Sequence, residues 1–158
     1  MTIKVGDKLP DCKLKTPGDP YPVDITIAQI FDGKKVVLFA VPGAYTPGCS
    51  NTHLPGFIVY ADKIKAKGVD TIVCVAVNDA FVMGAWSKEH NAEELLMLAD
   101  GNGEFTKKLG LELDGSGFGL GMRSKRYAMI VDNGVVKYLG IDTTEIKDSA
   151  AEAVLEHL

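Results

Sequence analysis

The sequence predicts an α/β fold with a mixed central sheet flanked by helices, and three observations support this prediction. The predicted strands at residues 35–41 and 69–77 contain the unbroken apolar runs 36–41 and 72–77, which are typical of strands buried on both faces of a parallel sheet. Each run is followed by apolar residues at helical spacing, as in a βαβ unit. The dipeptide Asn133-Gly134 separates two further apolar runs and predicts an antiparallel hairpin. With 158 residues, the chain is expected to form one domain spanning 1–158.

The N-terminal half supplies the first buried strand and the first long helix. Residues 17–22 are rich in proline and predict an exposed turn, and residues 24–31 predict a short helical turn. After the strand at 35–41, a helix is expected to begin near Pro47 and to kink at Pro55, because proline cannot donate the helical hydrogen bond. The apolar positions of this helix are Leu54, Phe57, Ile58, Ala61 and Ile64.

The C-terminal half continues with the strand at 69–77 and with a helix that Asn78 or Asp79 can cap and that runs to about His90. A strand at 95–99 and a short helix at 105–110 are predicted next, followed by a glycine-rich mobile loop at 115–121. The chain is then expected to form a hairpin, with strands at 127–131 and 135–138, and a final helix at 149–157. This order of strands and helices fits a thioredoxin-like layout.

Composition and charge argue against several classes of partner. The formal net charge is −4 and the isoelectric point is about 5.3, whereas nucleic acid and anionic membrane surfaces call for clustered lysine and arginine. The longest apolar run, residues 36–42, is far shorter than the roughly 20 residues of a membrane helix. No apolar signal segment is visible, so we expect a cytoplasmic protein without nucleic-acid or membrane partners.

The three cysteines, Cys12, Cys49 and Cys74, do not resemble the disulfide framework of a secreted protein. The chain has no CxxC pair, and its three histidines do not fall at metal-ligand spacing with the cysteines. We therefore expect no metal and no cofactor, and the cysteines are either inert buried thiols or include a catalytic one.

The segment 41–56 leaves the first buried strand and enters the first long helix, at the kind of turn where open α/β sheets bind ligands. Cys49 is expected in the first helical turn, where backbone N–H groups and the helix dipole favour a thiolate over a thiol. A thiolate is the form of cysteine that attacks the O–O bond of a peroxide.

The end of a helix does not activate a cysteine sufficiently by itself. Making a free cysteine mostly ionised at neutral pH takes about 2.7 kcal/mol, whereas a helix terminus supplies about 0.3–1 kcal/mol. Thr46, three residues before the cysteine, can place its hydroxyl near the sulfur or near a peroxide oxygen. Arg123, Lys125 and Arg126 open a central strand, and an arginine there would stabilise both the thiolate and the charge on a leaving oxygen.

Each of these residues also has a purely structural interpretation. A cysteine after a strand is commonly a small buried apolar residue. Thr46 can be a helix N-cap, the basic residues can lie on a solvated strand edge, and His53 can pack against a neighbour. The residues alone therefore leave a catalytic and a structural interpretation open.

Four motifs between residues 41 and 129 together form a combination that is highly specific for one protein family. It comprises Pro42-x-x-x-Thr46-x-x-Cys49 within residues 41–50, His53-Leu-Pro-Gly56, Val-Asn-Asp-Ala-Phe-Val at 77–82 and Arg-Ser-Lys-Arg-Tyr-Ala-Met at 123–129. With these motifs, the chain from about Ile3 to Leu158 resembles the peroxiredoxins. Within that family it is similar to the type II group of plants and bacteria, which includes the mammalian mitochondrial and peroxisomal enzyme.

The resemblance implies a thioredoxin-like fold with an N-terminal extension, and an antioxidant thiol peroxidase that reduces hydrogen peroxide and alkyl hydroperoxides. Cys49 would be oxidised to a sulfenic acid, Thr46 would orient the peroxide, and Arg126 would be the catalytic arginine. The residues implied at the substrate site are Pro42, Gly43 and Gly48. The resemblance also implies a homodimer.

The resemblance leaves the regeneration of Cys49 open. Cys74 stands where plant type II members carry a second cysteine, but it lies inside the apolar strand at 69–77. It either resolves the sulfenic acid as a disulfide or is inert, in which case glutathione or glutaredoxin, with thioredoxin as the second choice, would supply electrons. Cys12 lies outside the motifs and is interpreted as incidental.

The sequence departs from the family pattern at two places. Tyr45 replaces a common phenylalanine, and no distant cysteine of the mammalian kind follows Gly140.

A rival function uses the same cysteine. A peroxide-responsive sensor or interaction protein would use Cys49 but pass its oxidation to a partner protein. Steady consumption of hydrogen peroxide with a small thiol distinguishes an enzyme from such a sensor.

Overall fold

A computed structural model describes residues 2–158, which form a seven-stranded mixed sheet and a separate two-stranded ribbon. The strands are β1 Lys13–Thr16, β2 Val23–Thr26, β3 Lys35–Ala40, β4 Thr71–Ala76, β5 Leu96–Ala99, β6 Glu112–Asp114, β7 Met122–Ser124, β8 Arg126–Asp132 and β9 Val135–Asp142. The α-helices are α1 Ile27–Phe31, α2 Leu54–Ala66, α3 Ala80–Glu89, α4 Glu104–Leu109 and α5 Ala151–Glu156. The large sheet has the order β2-β1-β5-β4-β3-β8-β9, and β6 pairs with β7.

The middle of the sheet is buried on both faces. Strand β3 pairs in parallel with β4 and antiparallel with β8, and β4 pairs in parallel with β5. Because side chains alternate along a strand, Val37 and Phe39 enter the core under α2, α3 and α5, while Val36 and Leu38 enter the core under α1 and α4. The predicted mixed sheet with helices on both faces is therefore confirmed.

The N-terminal segment differs from the prediction. Residues 24–31 were expected to be helical, but Val23–Thr26 forms strand β2 and pairs with β1 across the proline-rich turn. Helix α1 begins only at Ile27, where the Thr26 side chain accepts a hydrogen bond from Gln29 N–H and completes a capping box. The prediction failed because the partner strand β1 was not recognised, and pairing decides the conformation of so short a segment.

The C-terminal half contains more strand than the sequence indicated. The glycine-rich segment 115–121 connects β6 to β7 and includes a 3-10 turn at Ser116–Phe118. Strand β9 continues to Asp142, beyond the predicted end at residue 138, and α5 is shorter than the predicted helix at 149–157. Continued pairing with β8 supports the extension of β9 as far as the Arg126–Asp142 pair.

The helix that follows β3 is irregular at its start. Pro47 and Gly48 are already helical, as expected, but Cys49–His53 forms a π-helical turn in which Leu54 N–H donates to the Cys49 carbonyl. Pro55 follows directly and has no N–H to donate to the carbonyl four residues earlier. The irregularity expected at Pro55 thus takes the form of a π turn just before it, and such turns often occur at functional sites.

The loop between β3 and this helix is held against the end of β4. Ala44 N–H donates to Asn78 Oδ1 at 3.0 Å, which joins the segments that leave two parallel strands at the same edge of the sheet. None of the helices within residues 2–158 has the length and apolar character needed to cross a membrane.

Candidate active site

Cys49 lies near the edge of the sheet where β3 and β4 end. It begins the π-helical turn Cys49–His53, and its side chain is fully buried. Arg126 Nη2 donates a hydrogen bond to Cys49 Sγ at 3.3 Å. The pairing of β8 with β3 explains this contact, because Tyr127 is opposite Ala40 and Arg126 therefore lies beside the point where the chain leaves β3. Of the two arginines weighed from the sequence, the structure brings Arg126 to the sulfur.

His53 connects Arg126 to the C-terminal part of the chain. Arg126 Nη1 donates to His53 Nδ1 at 2.9 Å, and His53 Nε2 lies 2.8 Å from the Ser149 carbonyl oxygen. Since the guanidinium can only donate and the carbonyl can only accept, the imidazole carries its proton on Nε2. Burial, together with the Arg126 charge and against the effect of the Ser149 hydrogen bond, lowers the pKa of His53 to about 4.

Thr46 has a different partner from the one considered in the sequence. Its Oγ1 donates to the Gly43 carbonyl oxygen at 2.6 Å, rather than to the sulfur. Thr46 N–H lies within 3.3 Å of the same oxygen, and Ser50 N–H donates to the Thr46 carbonyl. With its proton engaged in this way, the Thr46 hydroxyl oxygen can act as an acceptor for a substrate O–H group.

The two glycines implied at the substrate site make room for the two arginines. A Cβ on Gly48 would lie 3.2 Å from Arg126 Nη2, and a Cβ on Gly43 would lie 3.2 Å from Arg123 Nη1. Arg123 donates from Nη1 to the Val77 carbonyl at 3.3 Å and from Nε to a carbonyl in segment 115–121. Arg123 thus ties this segment to the end of β4.

The first residues of the loop after β3 differ in their exposure. Pro42 is half-buried directly after β3, next to the buried Gly43. Tyr45 has a φ of 67°, a left-handed conformation in which a non-glycine residue is uncommon. The Tyr45 side chain is 49% exposed, so the residue that departs from the family pattern lies on the surface beside the site.

The other two cysteines are separated from solvent. Cys74 is fully buried on β4, opposite Phe39 of β3, and belongs to the same core cluster as Cys49. Burial, and to a smaller extent the neighbouring Cys49, raises the pKa of the Cys74 thiol. Cys12 belongs to the core cluster on the opposite side of the sheet, and all three thiols are free.

A metal centre is not apparent in the described part of the chain. Residues 2–158 contain no group of three or more His, Cys, Asp or Glu side chains arranged to hold a metal ion.

The chain matches known proteins of one family. The Redoxin family model matches residues 4–155. The chain is 49% identical to the chloroplastic peroxiredoxin-2E of Arabidopsis thaliana, over 99% of this chain and 70% of the relative. The chain belongs to the peroxiredoxin family.

Further matches place it in the type II group. It is 42% identical to the hybrid peroxiredoxin hyPrx5 of Haemophilus influenzae, over 100% of this chain and 67% of that protein. A crystal structure of reduced Prx3 from Vibrio vulnificus in complex with H2O2 superimposes with a TM-score of 0.94 at 55% identity, over 98% of this chain and 95% of that chain. The thioredoxin-like fold and the thiol-dependent peroxidase activity expected from the sequence are thereby confirmed.

Sequence reasoning missed part of the network in this peroxiredoxin. His53 was interpreted as a possible packing residue, although its position four residues after Cys49 on a helix was a usable signal that both share a face. Ser149 and Asp142 were not considered at all. Asp142 accepts hydrogen bonds from Ser149 N–H and Oγ, and this pairing arises from the folding of the loop after β9.

We predict that Gly48→Ala separates stability from activity. Gly48 has φ −63° and ψ −38°, so alanine fits its helical backbone and the free energy of unfolding should stay within about 1 kcal/mol of wild type. The added Cβ presses on Arg126 Nη2, and peroxidase kcat/KM should fall about tenfold or more because small misplacements are costly. Urea unfolding and peroxide consumption measure the two effects.

Gly56→Ala is the matched control for this substitution. It lies in α2, and a Cβ there would meet no atom within 4 Å. It should keep wild-type activity, and a Gly48→Ala variant as active as Gly56→Ala would contradict the role assigned to the space at Gly48.

We predict that His53 makes the protein less stable in mild acid. Its pKa is 6.5 in the reference state and about 4 when folded, so between these values the unfolded chain binds more protons than the folded one. The free energy of unfolding should therefore fall by up to about 3 kcal/mol from pH 7 to pH 4 through this group. Urea titrations at several pH values measure the fall, which His53→Gln should remove and His90→Gln should retain.

Proposed function

We propose that Cys49 is the peroxidatic residue of this thiol-dependent peroxidase. Its thiolate attacks the protonated oxygen of the peroxide, the S–O bond forms as the O–O bond breaks, and the other oxygen leaves and takes up a proton from solvent to become water or an alcohol. Cys49 is left as a sulfenic acid. The observation that carries this assignment is the hydrogen bond from Arg126 Nη2 to Cys49 Sγ at 3.3 Å, at a site that also holds Thr46.

Arg126 adds a full positive charge to the weak stabilisation of the thiolate that the helix end provides. Its planar guanidinium donates to Cys49 Sγ and to His53 at the same time, which the single ammonium of a lysine would do less well. Because the sulfur is fully buried, the interaction between the guanidinium and a thiolate is weakly screened. The same charge is placed to stabilise negative charge that builds on the leaving oxygen.

The remaining substrate contacts come from the loop before Cys49. Thr46, whose proton is committed to Gly43, accepts a hydrogen bond from the attacked peroxide and thereby orients its O–O bond. Pro42 limits the access of water to the sulfur. Gly43 and Gly48 lack side chains that would press on Arg123 and Arg126, so both guanidinium groups keep their positions beside the loop. The substrates are hydrogen peroxide and alkyl hydroperoxides.

An external thiol restores Cys49. Glutathione or glutaredoxin attacks the sulfenic acid, a mixed disulfide and water form, and a second thiol releases Cys49 and carries away the disulfide. Two features support this route over Cys74. Cys74 is fully buried on a strand held between β3 and β5, and burial raises the pKa of its thiol, so the nucleophilic thiolate is scarce.

Cys49 and Cys74 form a matched pair for testing this function. Cys49→Ser should abolish steady-state peroxide consumption in the presence of glutathione and glutaredoxin, while Cys74→Ser should keep at least about half of the wild-type rate. Arg126→Ala should slow the reaction about 100-fold or more with the fold intact, since it removes charge stabilisation at the reacting atoms. Coupled reductase assays give the rates, and circular dichroism checks the fold.

The outcomes separate the two halves of the cycle. Full activity of Cys49→Ser would refute the peroxidatic assignment. An inactive but folded Cys74→Ser would refute the external-thiol route and identify Cys74 as the resolving cysteine. The mass of the oxidised wild type with and without glutathione gives an independent check, because a mixed disulfide and an internal disulfide differ in mass.

We also propose that two copies of the chain associate near the site. Three apolar side chains are exposed on the loop before Cys49 and on the segment from β6 into β7, with exposed fractions of 49% for Tyr45, 88% for Phe118 and 42% for Met122. Water-exposed apolar surface of this kind favours burial against a partner. The dimeric state and the cytoplasmic location stay predictions.

Sedimentation equilibrium tests the dimer. The wild type should have the mass of two chains at micromolar concentration, and Phe118→Glu should shift it toward one chain because a charge would be buried at the interface. Val5→Glu changes an exposed apolar residue of the N-terminal segment and should leave the mass unchanged. A wild type that sediments as one chain at all concentrations would refute the proposal.

A further inference from the structure

Asp142 lies at the end of β9, directly opposite Arg126 on β8 in the sheet register. In spite of this position, the Asp142 carboxylate forms no salt bridge with Arg126. Its oxygens accept four hydrogen bonds from the chain that follows β9: from Lys147 N–H at 2.8 Å, Asp148 N–H at 3.1 Å, Ser149 N–H at 2.8 Å and Ser149 Oγ at 2.7 Å. The carboxylate is thus fully occupied in holding this loop.

The loop is also fixed on its other side. Tyr138 Oη donates to the Asp148 carbonyl at 2.6 Å, and a Cβ on Gly140 would overlap the same carbonyl oxygen, so the loop packs closely on β9. Burial alone would raise the pKa of Asp142, but the hydrogen bonds from Ser149 and from the loop backbone hold it below its ordinary value. Asp142 is therefore ionised at neutral pH and accepts all four bonds as a carboxylate.

The residue that this loop delivers to the site is Ser149. Ser149 is fully buried, and its carbonyl accepts the Nε2 proton of His53. His53 in turn presents its unprotonated Nδ1 to Arg126 Nη1. A continuous series of hydrogen bonds therefore runs from Asp142 through Ser149 and His53 to the guanidinium that contacts Cys49 Sγ.

We propose that Asp142 is a positioning residue for the peroxidase reaction, which acts by holding the Ser149 carbonyl against His53 and so keeps the His53 proton on Nε2. The inference rests on the proposed role of Arg126 at Cys49. If the carbonyl moves away, the imidazole is free to carry its proton on Nδ1. An N–H donor would then face the Arg126 N–H donor, and Arg126 would lose the partner that keeps its second nitrogen on the sulfur.

If Asp142 acted on Cys49 only through its charge, its removal would change the ionisation of Cys49 in the opposite direction. A carboxylate near the site disfavours a second negative charge on Cys49, so its removal would by itself favour the thiolate. Loss of positioning disfavours the thiolate, because Arg126 no longer holds the sulfur. The direction of the change in Cys49 ionisation therefore distinguishes positioning from simple electrostatics.

The test uses Asp142→Asn in the full-length protein, which keeps the side-chain shape but replaces one acceptor oxygen with a donor. Three quantities are measured: kcat/KM for hydrogen peroxide, the pH midpoint of Cys49 alkylation by iodoacetamide, and the His53 tautomer from 15N chemical shifts. We expect kcat/KM to fall about tenfold, the midpoint to move to higher pH, and the Nδ1–H tautomer to become populated.

Three further variants locate the effect. Glu145→Gln removes one carboxylate charge from the same loop at an exposed side chain and should behave as wild type. Ser149→Ala removes one of the four hydrogen bonds and should shift all three quantities in the same direction by a smaller amount. In a His53→Gln background, Asp142→Asn should have no additional effect on kcat/KM, as expected for residues that act in series.

The proposal is overturned if Asp142→Asn keeps the wild-type tautomer and kcat/KM, or if its alkylation midpoint moves to lower pH. If Asp142→Asn does not fold, Ser149→Ala decides, and wild-type values of all three quantities in that variant overturn the proposal. A changed tautomer with unchanged kcat/KM also overturns it, because the link from Asp142 to His53 would then have no effect on the reaction; the role of Arg126 itself is tested separately by Arg126→Ala.

Discussion

Arg126 brings a guanidinium group to a sulfur that is completely shielded from solvent, and the rest of the site is organised around this contact. A thiolate in such a position is unstable without a partner, because an unpaired buried charge costs several kcal/mol. The helix end after β3 supplies only a small part of the compensation. The pairing of β8 with β3, the space left at Gly48 and the hydrogen bond to His53 all serve to keep the guanidinium in place.

The same contact explains why a neutral histidine is buried beside an arginine. A protonated His53 would face the guanidinium with a second donor and a second positive charge, and the low pKa of about 4 prevents this at physiological pH. The cost is a fold that is sensitive to acid. Chemistry and stability are therefore linked through one side chain, since the group that orients Arg126 is also one that the unfolded chain protonates more readily.

Much of the framework was predictable because it depends on local pattern. The continuous apolar runs identified β3 and β4, and the Asn133-Gly134 dipeptide identified the β8–β9 hairpin. Strand β2 was missed, and the end of β9 was placed too early, because both depend on pairing with a neighbouring strand rather than on their own residues. Thr46 was identified as a site residue, but its hydroxyl partner, the Gly43 carbonyl, depends on the loop conformation.

The sequence by itself determined the local pattern from which the reacting residues are predicted: Cys49 after a buried strand, Thr46 three residues before it, and an arginine that opens a later strand. The tertiary structure decided how they are connected. His53 meets Arg126 across 73 residues of chain and Ser149 across 96, so these contacts exist only when the strand register and the Asp142 loop are both in place. A hydrogen bond requires two groups to lie about 3 Å apart, and for residues so distant in sequence only the folded chain sets that distance.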